Sequence, residues 1–183
     1  MKKIVLAACI LLVTGLATAQ IPTSGNIFAG YSYYNTNFAQ HSTGLNGWQG
    51  SLEGKIFPFV GIVADFSGNY GTVNFTAPGA GACPTTGCPT NIHTHVDNFL
   101  FGPRVSVSVG SWRPFAEALF GAGHISTNGL GSDNSFATAL GGGVDYKIIR
   151  PIAVRVQLDY VHTSLFNTTQ NNVRVGTGIV VRF

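Results

Sequence analysis

The chain closes with Asn171-Asn172-Val173-Arg174-Val175-Gly176-Thr177-Gly178-Ile179-Val180-Val181-Arg182-Phe183. Side chains of an extended strand alternate between two faces. Val173, Val175, Thr177, Ile179, Val181 and Phe183 therefore share one face, and Arg174, Gly176, Gly178, Val180 and Arg182 share the other. A strand that ends on a large aromatic residue is unusual in a soluble protein, whose termini fray.

The same alternation recurs upstream. Ile27, Ala29, Tyr31 and Tyr33 oppose Phe28, Gly30, Ser32 and Tyr34. Trp48, Leu52 and Ile56 oppose Gln49, Ser51, Glu53 and Lys55, and Val60, Ile62, Ala64, Phe66 and Tyr70 oppose Val63, Asp65, Ser67 and Asn69. A fourth strand is predicted over 94–107, where Pro103 lacks a ladder donor and should mark a bulge or a weak point. Further strands over 115–124, 136–146 and 153–162 bring the total to about 8, each about 10 residues long. Short connections carry Phe57-Pro58-Phe59, Trp112-Arg113-Pro114 and Ile149-Arg150-Pro151, whereas 36–46, 72–92, 126–134 and 164–170 read as long polar loops.

Charged residues make up only 9% of the chain, against roughly 25% in ordinary soluble domains. Too little charge is available to cover a water-facing surface. Yet no apolar run beyond residue 19 approaches the roughly 20 residues that a helix needs to cross a bilayer. Lys2-Lys3, the apolar run Ile4 to Val13 and Ala17-Thr18-Ala19 read as a signal peptide over 1–19, cleaved before Gln20. Leu6-Ala7-Ala8-Cys9 also fits a lipoprotein box, but cutting there would leave almost no apolar segment ahead of the cut. Residues 20–183 then form one domain. Without Lys2 and Lys3 the 10 basic residues fall to 8, against 7 acidic ones, and nothing in that balance points to a nucleic-acid partner. An exported, apolar chain without a spanning helix has one membrane solution, a closed β-barrel. A secreted lipocalin-like barrel shows the same alternation with the opposite sign. Low charge, loop asymmetry and the terminal Phe183 favour the charged face turned inward. Turning Arg155 toward lipid would cost roughly 2–4 kcal/mol at mid-membrane. Trp48, Tyr70, Tyr160, Trp112 and Phe183 fall near strand ends, where aromatic girdles belong.

Gly178, Val181 and Phe183 resemble the Gly-x-x-apolar-x-aromatic signal that closes bacterial outer-membrane barrels. With the signal peptide and the alternation, the chain from residue 20 resembles the small stand-alone outer-membrane barrels, such as OmpA-type transmembrane domains, OmpX and opacity proteins. The resemblance implies an all-β, eight-stranded antiparallel up-and-down transmembrane barrel, monomeric and without cofactor or enzymatic activity. It also implies periplasmic termini, outward-facing loops, contact with bilayer lipid and lipopolysaccharide, and handling by the barrel-assembly machinery. The peptidoglycan-binding domain of full OmpA proteins has no counterpart here, so cell-wall anchoring is not implied.

The inward face collects Glu53, Lys55, Asp65, Arg104, Glu117, Asp145, Lys147, Arg155, Asp159, Arg174 and Arg182. An eight-strand lumen is barely wider than its side chains, and a buried charge without a partner is costly. Two functions fit: a structural or surface-interaction barrel plugged by ion pairs, or a narrow porin-like channel. Arg155 or Arg174 could reach Glu53 only across the interior, a reach that a lumen filled by side chains allows. His93, His95, Asp97 and His41 form a weak metal pattern and read better as interfacial residues. His162-Thr163-Ser164 resembles the His-x-Ser of outer-membrane lipid A deacylases. A serine nucleophile needs a base oriented by an acid, however, and no acidic residue follows Asp159, while Leu165 stands where those enzymes carry Asn.

Cys83 and Cys88 remain after processing, an even pair within one exported loop, and read as a loop disulfide. Mass spectrometry of periplasmically expressed protein should find them joined, and two free thiols without reductant would reject the pairing. Deleting Phe183 should impair outer-membrane assembly while leaving export intact. Fractionation that recovers the truncated chain at normal levels in the outer membrane would count against the terminal signal.

Overall fold

Polar alternation continues well past the segments that the hydrophobic pattern picks out, and the backbone ladders follow it. The computed structural model describes residues 24–38, 41–74, 91–127, 131–165 and 168–183. Its strands are β1 (Gly25–Phe38), β2 (His41–Lys55), β3 (Val60–Asn74), β4 (Asn91–Ser106), β5 (Trp112–Thr127), β6 (Gly131–Lys147), β7 (Ile152–Leu165) and β8 (Thr168–Arg182). Each pairs antiparallel with its chain neighbours, and β1 pairs with β8, so the sheet is a closed eight-stranded barrel. Residues 1–19 and the Cys83–Cys88 pair lie outside the described residues.

Two expectations are corrected. The strands run 14 to 17 residues rather than about 10. Much of 36–46, 126–134 and 164–170 is therefore ladder and not loop. Polar side chains there mark departure from an apolar layer, while their backbone groups still need partners and find them across the hairpin. Trp112-Arg113-Pro114 is likewise the start of β5 and not a turn, which carries Arg113 inside, where it is 5% exposed. Pro103 is a weak point without a bulge. The β4–β5 ladder runs Phe101↔Phe120, skips two pairs and resumes at Arg104↔Glu117 in the same register, while β3–β4 continues unbroken through Ile62↔Pro103.

The sheet is sheared as a closed barrel must be. Partner residues followed once around from Ala116 on β5, through Leu158, Tyr33 and Tyr70, lead to Ser126, ten residues along the same strand. With eight strands this offset corresponds to a strand tilt of about 40°. The β1–β8 seam closes where Gly30 faces Gly178. A Cβ at Gly30 would sit 2.2 Å from the Thr177 carbonyl oxygen, and one at Gly178 would sit 2.3 Å from that of Ala29. Glycine is required there by close backbone approach. At the seam's short-turn end Gly25 N–H donates to Phe183 O at 2.9 Å and Phe183 N–H donates to Gly25 O at 3.1 Å.

Every face assignment named above for β1 to β3 is the observed one. Ile27, Leu52, Ile62, Phe66, Phe99, Phe101, Phe120, Leu140, Leu158 and Ile179 point outward and are exposed. Aromatic pairs bridge neighbouring strands on that face, Phe66 with Phe99 and Phe101 with Phe120, each at 4.8 Å between ring centroids. Trp112 and Tyr146, 4.6 Å apart, flank the belt at the short-turn end. At the other end, Tyr70 stacks on His95 at 4.2 Å, and the Tyr31 hydroxyl donates to Asn46.

Candidate functional site

The barrel interior holds the only dense cluster of ionised side chains among the described residues, and strand alternation alone delivers them there. Near the short turns, Glu53 from β2 accepts from Arg104 Nη1 at 3.1 Å, Arg113 Nη2 at 2.9 Å and Asn26 Nδ2 at 2.6 Å. Arg104 Nε also donates to Glu117 Oε2 at 2.7 Å. On the opposite wall, Arg155 holds both oxygens of Asp145, Nε to Oδ1 at 2.7 Å and Nη2 to Oδ2 at 3.1 Å, a bidentate fork. The ring of Phe115 separates the two halves. The Arg104 guanidinium carbon lies 4.4 Å and that of Arg155 4.6 Å from its centroid, so the aromatic π face is the surface on which two like charges rest.

A second layer lies further along the barrel. Arg174 on β8 donates through Nη1 to Asp65 Oδ1 on β3 at 2.7 Å, and through Nη2 to Asp159 Oδ2 on β7 at 2.8 Å. Gln49 Nε2 supports Asp65 at 2.7 Å and Gln157 Nε2 supports Asp159 at 3.0 Å. Arg104, Arg155 and Arg174 are 0% exposed. Further along, Tyr34, Leu45, Val96, Leu100, Leu119, Ile125 and Val161 pack in one cluster, interleaved with buried Asn69, Thr94, Asn98, Thr163 and Asn172.

Glycines decide who reaches whom. Glu53 on β2 meets Arg104 on β4 by leaning over β3 at Gly61, where a Cβ would stand 2.8 Å from Glu53 Oε1. Arg155 on β7 passes its lateral neighbour Gly178 on β8 and reaches Asn26 on β1 at 3.3 Å. Gly141 separates Glu117 from Asp159 in the same way. Glu53 does not use the reach across the interior to Arg155 or Arg174: its partners are Arg104 and Arg113, because the β3 glycine opens that side. Arg113 is the functional residue that the sequence reading misplaced. Its alternation with Phe115 and Glu117 was the available signal, and the adjoining proline and tryptophan hid it.

The remaining inward candidates sit at the short-turn mouth. Lys55 Nζ donates to the Pro58 carbonyl at 2.9 Å, Arg182 Nη2 lies 3.3 Å from Asp145 Oδ2, and Lys147 is half-buried. Gly178, Val181 and Phe183 lie on β8 and just beyond it, at the seam. Toward the long connections, His95 Nε2 lies 2.8 Å from Asp97 Oδ1 and His93 Nδ1 lies 3.3 Å from Thr72 Oγ1. Among the described residues no three His, Cys, Asp or Glu side chains are grouped to hold a metal. The His41 side chain is outside the described set. His162 faces outward, its Nδ1 2.8 Å from Asn171 Oδ1, and the Ser164 side chain is outside the described set.

No family model matches the chain, and no curated protein matches it by sequence. Solved structures do match it. Neisserial surface protein A superposes with a TM-score of 0.63 at 12% identity, over 87% of this chain and 97% of that one. Ail, the attachment invasion locus protein of Yersinia pestis, solved with the heparin analogue sucrose octasulfate, gives 0.59 at 14% identity over 87% and 98%. The N-terminal β-barrel domain of Pseudomonas aeruginosa OprF gives 0.53 at 14% identity over 90% and 100%. The chain therefore has the fold of these small eight-stranded barrels; identities this low carry the likeness no further.

Replacing Arg174 with Met strands Asp65 and Asp159 in the lumen and should destabilise the barrel by about 3–5 kcal/mol. The combined change R174M/D65N/D159N removes the stranded charges and should recover most of that loss. Urea unfolding in lipid vesicles measures both, and a triple variant no more stable than the single one would reject the pairing.

Proposed function

We propose that the protein is an integral outer-membrane barrel whose lumen is plugged by its own side chains and whose working surface is its exterior. The observation that carries this is the inverted polarity of the barrel. Leu140, Leu158 and Ile179 are 65%, 57% and 55% exposed, whereas Arg104, Arg155 and Arg174 are 0% exposed. Exposed apolar area on that scale, closed around a charged interior, has a low free energy in hydrocarbon and a high one in water. Shared fold with the three outer-membrane barrels above supports the same location, with the short turns and both strand termini on the periplasmic side.

The plugged lumen is supported by the pairing itself. Each of Glu53, Asp65, Glu117, Asp145 and Asp159 lies against a guanidinium. An ion crossing the barrel would have to displace such a pair in a space filled by side chains. The absence of enzymatic activity is part of the proposal: His162 faces outward to Asn171 rather than to a carboxylate, and an amide does not stabilise an imidazolium as an acid would. A monomer is proposed on the same ground as the membrane location, since the apolar belt needs only lipid to cover it.

Planar-bilayer recording of the refolded protein tests the plug. The expected trace shows no steady current at moderate voltage. Steady, salt-dependent single-channel currents without denaturant would overturn the plug in favour of a porin-like channel.

A further inference from the structure

Basic side chains are confined to one end and the middle of this barrel. The stretches at and around the long connections, 36–46, 72–95, 124–138 and 162–173, contain neither Lys nor Arg. Lys55, Arg113, Lys147, Arg150 and Arg182 instead gather at the short turns. Arg113 and Lys55 are occupied there by Glu53 and by the Pro58 carbonyl, respectively.

Three of these cations converge on a cleft of about 350 Å³ at that mouth. Lys147 at the end of β6, Arg150 in the turn after it and Arg182 at the end of β8 line it, with Ile149 and Phe183 on its apolar side. The backbone holds these positions firmly. Lys147 N–H donates to Ser111 O at 2.8 Å, Ile149 O accepts from Ile152 N–H at 2.6 Å, and Arg182 N–H donates to Pro151 O at 2.9 Å. Among the described residues neither Lys147 nor Arg150 forms an ion pair. Arg182 has its Nη2 on Asp145, while its buried Nε has no acceptor among them. No acidic side chain lines the cleft.

The cleft's neighbours narrow the chemistry. Ile149 and Phe183 are each 59% exposed, and Phe183 continues the outward alternation of Ile179 and Val181 on β8. A small soluble anion would use the cations and gain nothing from these two side chains. An amphiphile would use both, its phosphate on Lys147, Arg150 and Arg182 and its acyl chains along the belt. We propose that this cleft binds the anionic phosphate headgroup of a phospholipid in the leaflet at the short-turn end. The inference rests on the membrane reading above.

Folded protein in zwitterionic micelles is titrated with phosphatidylglycerol, with phosphatidylcholine and with inorganic phosphate, and the amide shifts of Lys147, Ile149, Arg150 and Arg182 are followed by NMR. Phosphatidylglycerol should saturate these shifts, phosphatidylcholine and inorganic phosphate should not, and K147Q/R150Q should weaken binding on the order of tenfold or more. Lys55→Gln, across the mouth, should leave binding unchanged. Equal response to inorganic phosphate would replace the lipid with a soluble anion. Equal binding by K147Q/R150Q, or equal response to phosphatidylcholine, would overturn the site. Both exchanged side chains are unpaired, so circular dichroism should show an intact barrel in the variant. Vesicle insertion of the unmutated protein is scored separately: its failure rejects the membrane reading, whereas insertion without headgroup binding rejects only this inference.

Discussion

One guanidinium, that of Arg174, spans the lumen from Asp159 on β7 to Asp65 on β3, and the strand arrangement has to satisfy it. A charge without water must have its partners in place, because an uncompensated one costs several kcal/mol. Shifting any strand by one residue would move its whole charged set to the opposite face. For β7 that would send Arg155, Gln157 and Asp159 toward lipid and bring Val154, Val156 and Leu158 inside. The network thus acts on register more than on stability. A well-packed apolar interior can match or exceed a buried ionic one in stability, but it would tolerate a slipped strand in a way that these pairs do not. Eight ladders with a fixed total offset follow from that demand.

Glycine is the other half of the same constraint. An eight-stranded lumen cannot hold a long side chain at every inward position. Here charged side chains alternate around the wall with Gly61 and Gly141, and each of these glycines lies where a neighbour's side chain crosses. The 24 glycines of the chain therefore read only in part as turn formers. Some are the floor over which Glu53 and Asp159 extend. A methyl group at Gly141, placed 2.0 Å from Asp159 Oδ1, would have to push aside a carboxylate that Arg174 already holds.

How much of this was legible in the sequence divides along the range of the interactions. Period-2 alternation is local, so strand faces and the sign of the barrel could be read from Ile27 through Phe183 without coordinates. Interior membership could be read for the same reason. Partner choice could not, because it depends on shear and on which intervening residue is small, both properties of the closed sheet. Glu53 illustrates the gap: its inward direction follows from alternation with Lys55, but its pairing with Arg104 needs Gly61 on a different strand. Arg113 was hidden because Pro114 and Trp112 look like a turn when the backbone partner, the Val144 to Tyr146 stretch of β6, is unknown. Strand ends were underestimated for the opposite reason. Ser, Thr, Asn and Gly carry turn propensity, and a hairpin overrides it once its first pairs are zipped.

The interior also differs from end to end in a way that bears on permeation. Paired charges occupy the half nearest the short turns, and in the other Leu45, Val96, Ile125 and Val161 are interleaved with buried Asn69, Thr94, Asn98, Thr163 and Asn172. On the proposed plug, these are barriers of different kinds in series. In the charged half an ion meets partners already committed to one another, and it must compete with short guanidinium–carboxylate contacts. In the other half it meets only neutral side chains, Asn69, Asn98 and Asn172 among them. On that reading the barrel gains little as a pore. Its exposed chemistry lies instead at the two rims, where His, Asn and Tyr side chains face outward at one end and unpaired Lys and Arg at the other.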